Sequence, residues 1–367
     1  MIYFDHNATT PLEGRVLEAM LPFLKSFYGN ASSLYRHGRV ASSAIATARE
    51  QLAALVGVHS GQIVFTSGGT EANNLALATL SPQARLAVSA IEHPSIIEPA
   101  LHLKNLGHRL TLLDVDTNGL ITQDTIDELI ALKPELVSIM LANNETGVIQ
   151  AIADIAEQLS AHGIRIHTDA VQALGKIPVA FNRLGVQLMS LSSHKIYGPK
   201  GCGALVFDKT VEINPIILGG GQEQGLRAGT ENVAAIVGFG KAAELANSEI
   251  AERHAQLLRL RVLLEQGLSG ISGLTIFAQQ AERLPNTVQL GIAGIDGEML
   301  LMRLDQKNIA VSSGSACASG LREPSPVLVA MGIDAIQAKS AIRVSLGLAN
   351  TEVEIIEFIK QLKSLAG

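Results

Sequence analysis

Short apolar runs alternate with amphipathic segments through the first three quarters of the chain, the pattern of an α/β domain with a largely parallel sheet. The apolar runs predict strands over 62–65, 86–90, 109–113, 136–141, 164–167, 188–191 and 204–207. Spacing between them predicts helices over 71–79, 95–106, 123–131 and 152–161. A longer helical stretch, 233–268, is placed to bridge two domains. Beyond it, shorter strands are expected over 274–277, 287–290, 309–312 and 341–345, mixed with helices. The expected division is a large α/β domain over 13–250 and a smaller α+β domain made of 1–12 and 251–367.

The segments just after the strands carry more information than the strands themselves. The run at 62–65 leads into TSGGTEANN, 86–90 into IEHPS and 136–141 into ANNETG. The run at 164–167 leads into TDAVQ, and 188–191 into SSHK. Open α/β sheets bind ligands outside the carboxyl ends of their strands. Five strands delivering polar groups to one edge therefore predict an active site there.

Composition narrows the class of ligand. The 367 residues are 47% hydrophobic and 17% charged, so a sizeable core is expected rather than disorder. A net charge of −6 with scattered basic residues argues against nucleic acid and for a small molecule. No apolar run is long enough to span a bilayer, and MIYFDHNATTPLE lacks the basic start of a secretory signal. Only Cys202 and Cys317 occur, which excludes a disulfide framework and predicts a reducing, cytoplasmic setting.

Several residues at the predicted edge carry chemistry. Thr66–Ser67–Gly68–Gly69–Thr70–Glu71 sits between a strand and a helix, where backbone N–H groups close on a phosphate; an ordinary glycine turn with a threonine cap fits as well. Lys195 follows Ser192–Ser193–His194, and Asp169 ends a neighbouring run. A lysine for a Schiff base and a carboxylate for a pyridinium nitrogen are what pyridoxal phosphate requires. His93 is placed to stack on a ring and exchange protons, the alternative being a capping or core histidine. Small residues surround Cys317, which suits an accessible loop, whereas Cys202 leads into an apolar strand and is expected to be structural. Asp114–Val115–Asp116 opens like a calcium loop, but Thr125 stands where a bidentate glutamate is needed. Gly238–Phe239–Gly240 is half a dinucleotide fingerprint set inside a helical stretch rather than after a strand.

Taken in order, DHNATTP, GNASS, FTSGGTEANN, EHP, ANNETG, HTDAVQ, SSHKIYGPKG, GGGQEQGLRAGTEN, SSGSACASG and AIRVSLG resemble the cysteine desulfurases of the NifS/IscS type. These belong among the class V aminotransferase-like enzymes of fold type I. The resemblance spans almost the whole chain. It implies pyridoxal 5'-phosphate as cofactor, with Lys195 as the Schiff-base lysine and Cys317 as the nucleophile on a loop of the smaller domain. It further implies that Asp169 pairs with the pyridine nitrogen, His93 stacks on the ring and Gln172 bonds the phenolic oxygen. Gly69, Thr70, Ser192 and His194 are implied phosphate ligands, with Thr230 reaching in from a second subunit of a homodimer. Asn144 is implied at both cofactor and substrate, and Arg343 as a bidentate clamp on the substrate carboxylate. Leu218, Gln224 and Leu226 depart from the family pattern around GGG, and His6 stands where asparagine or tyrosine is frequent.

The implied activity is removal of sulfur from L-cysteine, giving L-alanine and a persulfide on Cys317 for a sulfur-acceptor protein, such as an iron–sulfur scaffold. A selenocysteine lyase or another class V lyase or aminotransferase would share the cofactor site without depending on Cys317. A non-catalytic scaffold would have no need of Lys195, Asp169, His93, Cys317 and Arg343 together.

Overall fold

In a computed structural model, which describes residues 1–313 and 323–366, the seven strands expected in the large domain form one sheet. The strands in chain order are β1 (Ile2–Tyr3), β2 (Ile63–Thr66), β3 (Arg85–Ser89), β4 (Arg109–Leu113), β5 (Leu136–Ser138) and β6 (Arg165–Asp169). They continue as β7 (Leu188–Ser192), β8 (Gly203–Phe207), β9 (Leu274–Ile276), β10 (Thr287–Ile292), β11 (Ile309–Ala310) and β12 (Ala341–Ser345). The helices are α1 (Gly14–Lys25), α2 (Arg36–Val56), α3 (Gly69–Leu77), α4 (Pro94–Asn105), α5 (Gln123–Leu132) and α6 (Ile152–Ser160). After these come α7 (Phe181–Leu184), α8 (Val233–Leu268), α9 (Gly297–Asp305), α10 (Pro326–Ala330), α11 (Ala335–Lys339) and α12 (Glu352–Ala366).

The large sheet has the order β2-β8-β7-β6-β5-β3-β4. Neighbours from β7 to β4 are parallel, and β8 alone runs antiparallel to both strands beside it. Every strand but β8 therefore points its carboxyl end at the same edge, the mostly parallel α/β arrangement the hydropathy pattern predicts. Both faces are covered. Ile63, Phe65, Val137, Ile166 and Met189 join one apolar cluster, while Val64, Leu86, Leu136 and Leu188 join another on the opposite face.

Helix α8 packs along α1 and α2. A Cβ on Gly240 would come within 2.5 Å of Ala48 Cα, and one on Gly238 within 2.7 Å of Met20 Sδ. The half fingerprint Gly238–Phe239–Gly240 is thus a close helix-packing surface. A further apolar cluster gathers Phe4, Leu257, Leu264, Val288, Ile342 and Phe358 around the antiparallel sheet β12-β10-β9. The N-terminal strand reaches this region by pairing β1 with β11.

One strand and two helices depart from the sequence pattern. The run 136–141 is a strand only as far as Ser138, because the Met140 N–H turns to the Glu92 carboxylate, although Ile139 and Leu141 still donate to the backbone of β6. Helix α1 buries only Val16 and Met20 and contains Pro22, and α2 buries Gly38 and three alanines beside Ile45, Leu52 and Val56. That is a weak periodic signal.

Candidate active site

The first turn of α3 has no side-chain cap, so its N–H groups face a cleft of about 330 Å³. Gly69, Thr70, Ser192 and His194 all line it, together with Thr9, Ser67 and Lys200. Ser192 Oγ is buried with no hydrogen-bond partner among the described residues. His194 is tied to Thr9 Oγ1 through Nδ1 at 3.1 Å, and burial plus Lys195 and Lys200 push its pKa down to about 4. A neutral imidazole, a helix N-terminus, a lysine and an unpaired hydroxyl around one cleft suit an anion such as a phosphate.

Asp169, the last residue of β6, is buried. Its Oδ1 accepts from Val171 N at 2.9 Å and its Oδ2 from Asn73 Nδ2 at 2.8 Å. Asn73, fully buried on α3, also donates to Ser95 Oγ at 2.8 Å. The hydropathy pattern gave no reason to single it out, since an asparagine inside a helix carries no periodic signature. His93 begins α4 as its N-cap, its Nδ1 accepting from Ser95 N at 3.1 Å. The capping role is therefore real, and it holds the ring with Nε2 turned away from the cap. Burial, with Lys195 and Arg343 nearby, lowers the His93 pKa against the opposing pull of Asp169. Glu92 is fully enclosed, and burial followed by the charge of Asp169 raises its pKa well above the usual carboxylate range.

Lys195 closes the short turn after β7, and its Nζ donates to Asn7 O and, at 2.8 Å, to Ala8 O. Gln172 Nε2 donates to the same Asn7 oxygen at 3.0 Å. Lys176 Nζ donates to Gln172 Oε1 at 2.8 Å and to Asn7 Oδ1 at 3.0 Å. The N-terminal DHNATTP segment is thus the strut on which the site lysine rests, a role with no local signal.

Arg343 lies on β12 with 3% exposure. Its Nη2 donates to Asp5 Oδ1 at 2.6 Å and its Nη1 to Asn144 O at 3.0 Å, while Nε is buried without a partner among the described residues. Asn144 and Arg343 are therefore brought together, with Asp5 as an unforeseen third member. Thr230 is exposed and lines a separate groove with Thr66, Glu223 and Arg227. Leu218 is 80% exposed, and Leu226 packs against the cluster around Val64. His6 fills the space beside Gly347, where any Cβ would strike its ring at 2.1 Å. Cys202 is buried, and burial pushes its thiol up to about 12, as suits the structural role expected of it. Cys317 lies outside the described residues.

These features define a ligand site at the carboxyl edge of an α/β sheet, and the chain belongs to the class V aminotransferase family, whose model matches residues 2–358. Cysteine desulfurase IscS of Dictyoglomus turgidum is 43% identical over 360 residues, covering 96% of this chain and 91% of that protein. Among solved structures, a NifS-like protein superposes with a TM-score of 0.93 at 37% identity over 99% of this chain and 98% of that one. SspA in complex with cysteine superposes with a TM-score of 0.84 at 33% identity over 94% of this chain and 99% of that one. The fold is that of the NifS-like, fold type I enzymes.

Enzymes of this family depend on pyridoxal phosphate, and the residues present fit it. Ser192 Oγ is an orphaned buried hydroxyl beside an uncapped helix N-terminus, suited to the phosphate. Gly69 leaves room that a Cβ would take, at 3.0 Å from Val171 Cγ2. A buried carboxylate and a lysine stand at the ends of adjacent strands.

Proposed function

We propose that this protein is a pyridoxal-phosphate-dependent cysteine desulfurase, taking sulfur from L-cysteine and passing it to an acceptor protein. The observation that supports it most is the convergence of Lys195, Asp169, His93, Gln172 and Arg343 on one sheet edge beside a phosphate-suited cleft. When bound, the cofactor supplies an electron sink for the bond that breaks at the substrate. Lys195 would hold it through Nζ and would then move the substrate's α-proton. Asp169, aimed by Asn73 and Val171, would hold a proton on the pyridine nitrogen. Gln172 Nε2 would bond the phenolic oxygen, and His93, with Nε2 turned away from the cap, would hold the ring. Gly69, Thr70, Ser192 and His194 take the phosphate, with Thr230 of a second copy.

Arg343 and Asn144 bind the amino acid, excluding neutral analogues. The Cys317 thiolate attacks the substrate sulfur; the bond from sulfur to Cβ breaks, its electron pair stays with carbon, and protonation yields alanine. Cys317 keeps the sulfur as a persulfide. The acceptor, a scaffold of iron–sulfur assembly or another thiol protein, then removes it.

The same reading makes the active unit a homodimer, in keeping with exposed Tyr28, Leu34, Tyr35 and Leu218, at 81%, 89%, 59% and 80%. It divides the chain into 13–250 and 1–12 with 251–367; the cluster around Phe4, Leu257 and Phe358 lies wholly in the second part, while another joins Ile91 and Met140 to Phe277 and Leu328 across the two. It locates the protein in the cytoplasm, where reduced thiols persist; no helix among the described residues is long and apolar enough to cross a membrane.

The decisive experiment loads the purified protein with pyridoxal phosphate, adds L-cysteine and a thiol reductant, and measures alanine and sulfide. Equimolar release is expected. Pyruvate and ammonia, or no turnover, would overturn the reading.

A further inference from the structure

We infer that Lys176 is a positioning residue: it locks the side-chain amide of Gln172 so that Nε2 faces Lys195 and the cofactor. The inference rests on the pyridoxal-phosphate reading above. Gln172 Nε2 and Lys195 Nζ both donate to one oxygen, Asn7 O, so the amide nitrogen and the site lysine meet at a single point. A backbone carbonyl only accepts, so the amide nitrogen must be the end of Gln172 that faces it. That turns Oε1 the other way, where Lys176 Nζ stands at 2.8 Å. An amine has an N–H to give in either protonation state, so this contact holds whether or not Lys176 is charged.

Lys176 is itself fixed. Its second bond, 3.0 Å to Asn7 Oδ1, shares that oxygen with Asn286 Nδ2. Asn7 Nδ2 is occupied by Asn144 O and Thr287 Oγ1. Neither end of the Asn7 amide can flip without losing two bonds.

A merely structural lysine is expected at the surface or beside a carboxylate. Lys176 is buried, and it forms no ion pair among the described residues. The charged groups that face it are Lys195 and Arg343, with His6 beside it, all basic. Burial, then the charges of Lys195 and Arg343, push its ammonium well below the usual lysine range. Burying an amine in a basic site is costly. The two hydrogen bonds that orient Gln172 and Asn7 are what it supplies there.

The test uses the loaded protein and three variants, Lys176→Met, Gln172→Leu and the double. Two quantities are read: pyridoxal-phosphate dissociation by equilibrium dialysis, and the pH midpoint of the bound cofactor's visible band. Each single variant should weaken retention roughly tenfold, the scale of one lost hydrogen bond in a buried site. Each should move the midpoint in the same direction, and the double should fall well short of the sum of the two, because in Gln172→Leu only the bond of Lys176 to Asn7 remains to be lost. Additive effects in the double, or an unmoved band in folded Lys176→Met, would overturn the inference. Should Lys176→Met not fold, Lys176→Gln keeps an N–H donor without the charge. It retains the wild-type band if the lock is right, and a shifted band counts against it. Wild-type protein that acquires no visible band refutes the cofactor reading itself, a different outcome from any of these.

Discussion

Arg343 Nη2 lies 2.6 Å from Asp5 Oδ1, an ion pair between residues 338 positions apart. With Nη1 on Asn144 O, the guanidinium plane is set before any substrate arrives. Preorganisation of this kind lowers the entropy lost on binding. Asp5→Ala should therefore raise KM for L-cysteine about tenfold, the loss of a charge-assisted bond of about 1.5 kcal/mol, with far less effect on kcat. Arg343→Ala should raise it further. Steady-state kinetics check both, and an unchanged KM in Arg343→Ala would remove the residue from the substrate site.

Lys195→Ala should bind pyridoxal phosphate without the reducible covalent link. Borohydride treatment and peptide mapping of the wild type should find the label on Lys195. Label on Lys176 or Lys200 instead would transfer the role to that residue.

Much of this site was legible because its residues sit directly after apolar runs. TSGGTE, EHP, TDAVQ and SSHK each come after a strand, and strand direction alone gathers them at one edge. The bracing behind them was not legible. Asp5 reaches Arg343, Asn7 reaches Gln172 and Lys195, and Lys176 reaches both amides, through contacts that cross domains or keep no helical or strand period. Asn73 is hidden for another reason: on α3 it is a buried polar residue among Ala72, Leu75 and Ala76, visible only once Asp169 faces it.

That contact carries its own prediction. Asn73→Asp keeps the shape but replaces a donor with an acceptor against Asp169 Oδ2, so two carboxylates must share a proton. Cofactor retention should fall steeply as pH rises and partly recover in acid. Asn73→Ala should lose retention with little pH dependence. Dialysis across a pH series separates the two, and identical profiles would show that Asn73 does not act through Asp169.

His167 spans three strands inside the sheet, Nδ1 to Ser138 Oγ and Nε2 to Ser190 Oγ, both at 2.9 Å. Burial lowers its pKa from 6.5 to about 3. Below pH 6.5 the unfolded chain takes up a proton that the folded one refuses. Its contribution to stability is therefore full above 6.5 and drains away as pH falls towards 3. His167→Gln should be less stable at neutral pH by about 1–3 kcal/mol, from the polar groups left unpaired. Its Tm should fall less steeply than wild type on acidification. The slope should not vanish, because His6 and His194, each lowered to about 4, titrate in the same window. Parallel Tm curves for variant and wild type would rule out His167 as a source of acid lability.

Cys317 separates a desulfurase from its relatives in chemistry. A lyase or an aminotransferase on this fold needs Lys195 and Asp169 but no thiol, whereas transfer of sulfur to the chain needs a nucleophile that can hold it. Cys202 cannot serve, being buried with its thiol raised to about 12, so the thiolate is absent at neutral pH. Cys317 stands between Ser312–Ser313–Gly314–Ser315–Ala316 and Ala318–Ser319–Gly320, a run of small residues in the sequence. Cys317→Ser should keep the cofactor's colour and still change its spectrum on adding L-cysteine, because neither event involves the thiol. Alanine release should fall to a small residue of the wild-type rate. Mass spectrometry of wild type after cysteine treatment should find one added sulfur atom on the peptide holding Cys317 and none on that holding Cys202. Wild-type turnover by Cys317→Ser would move the protein to the lyase or aminotransferase chemistry, with the cofactor site unchanged.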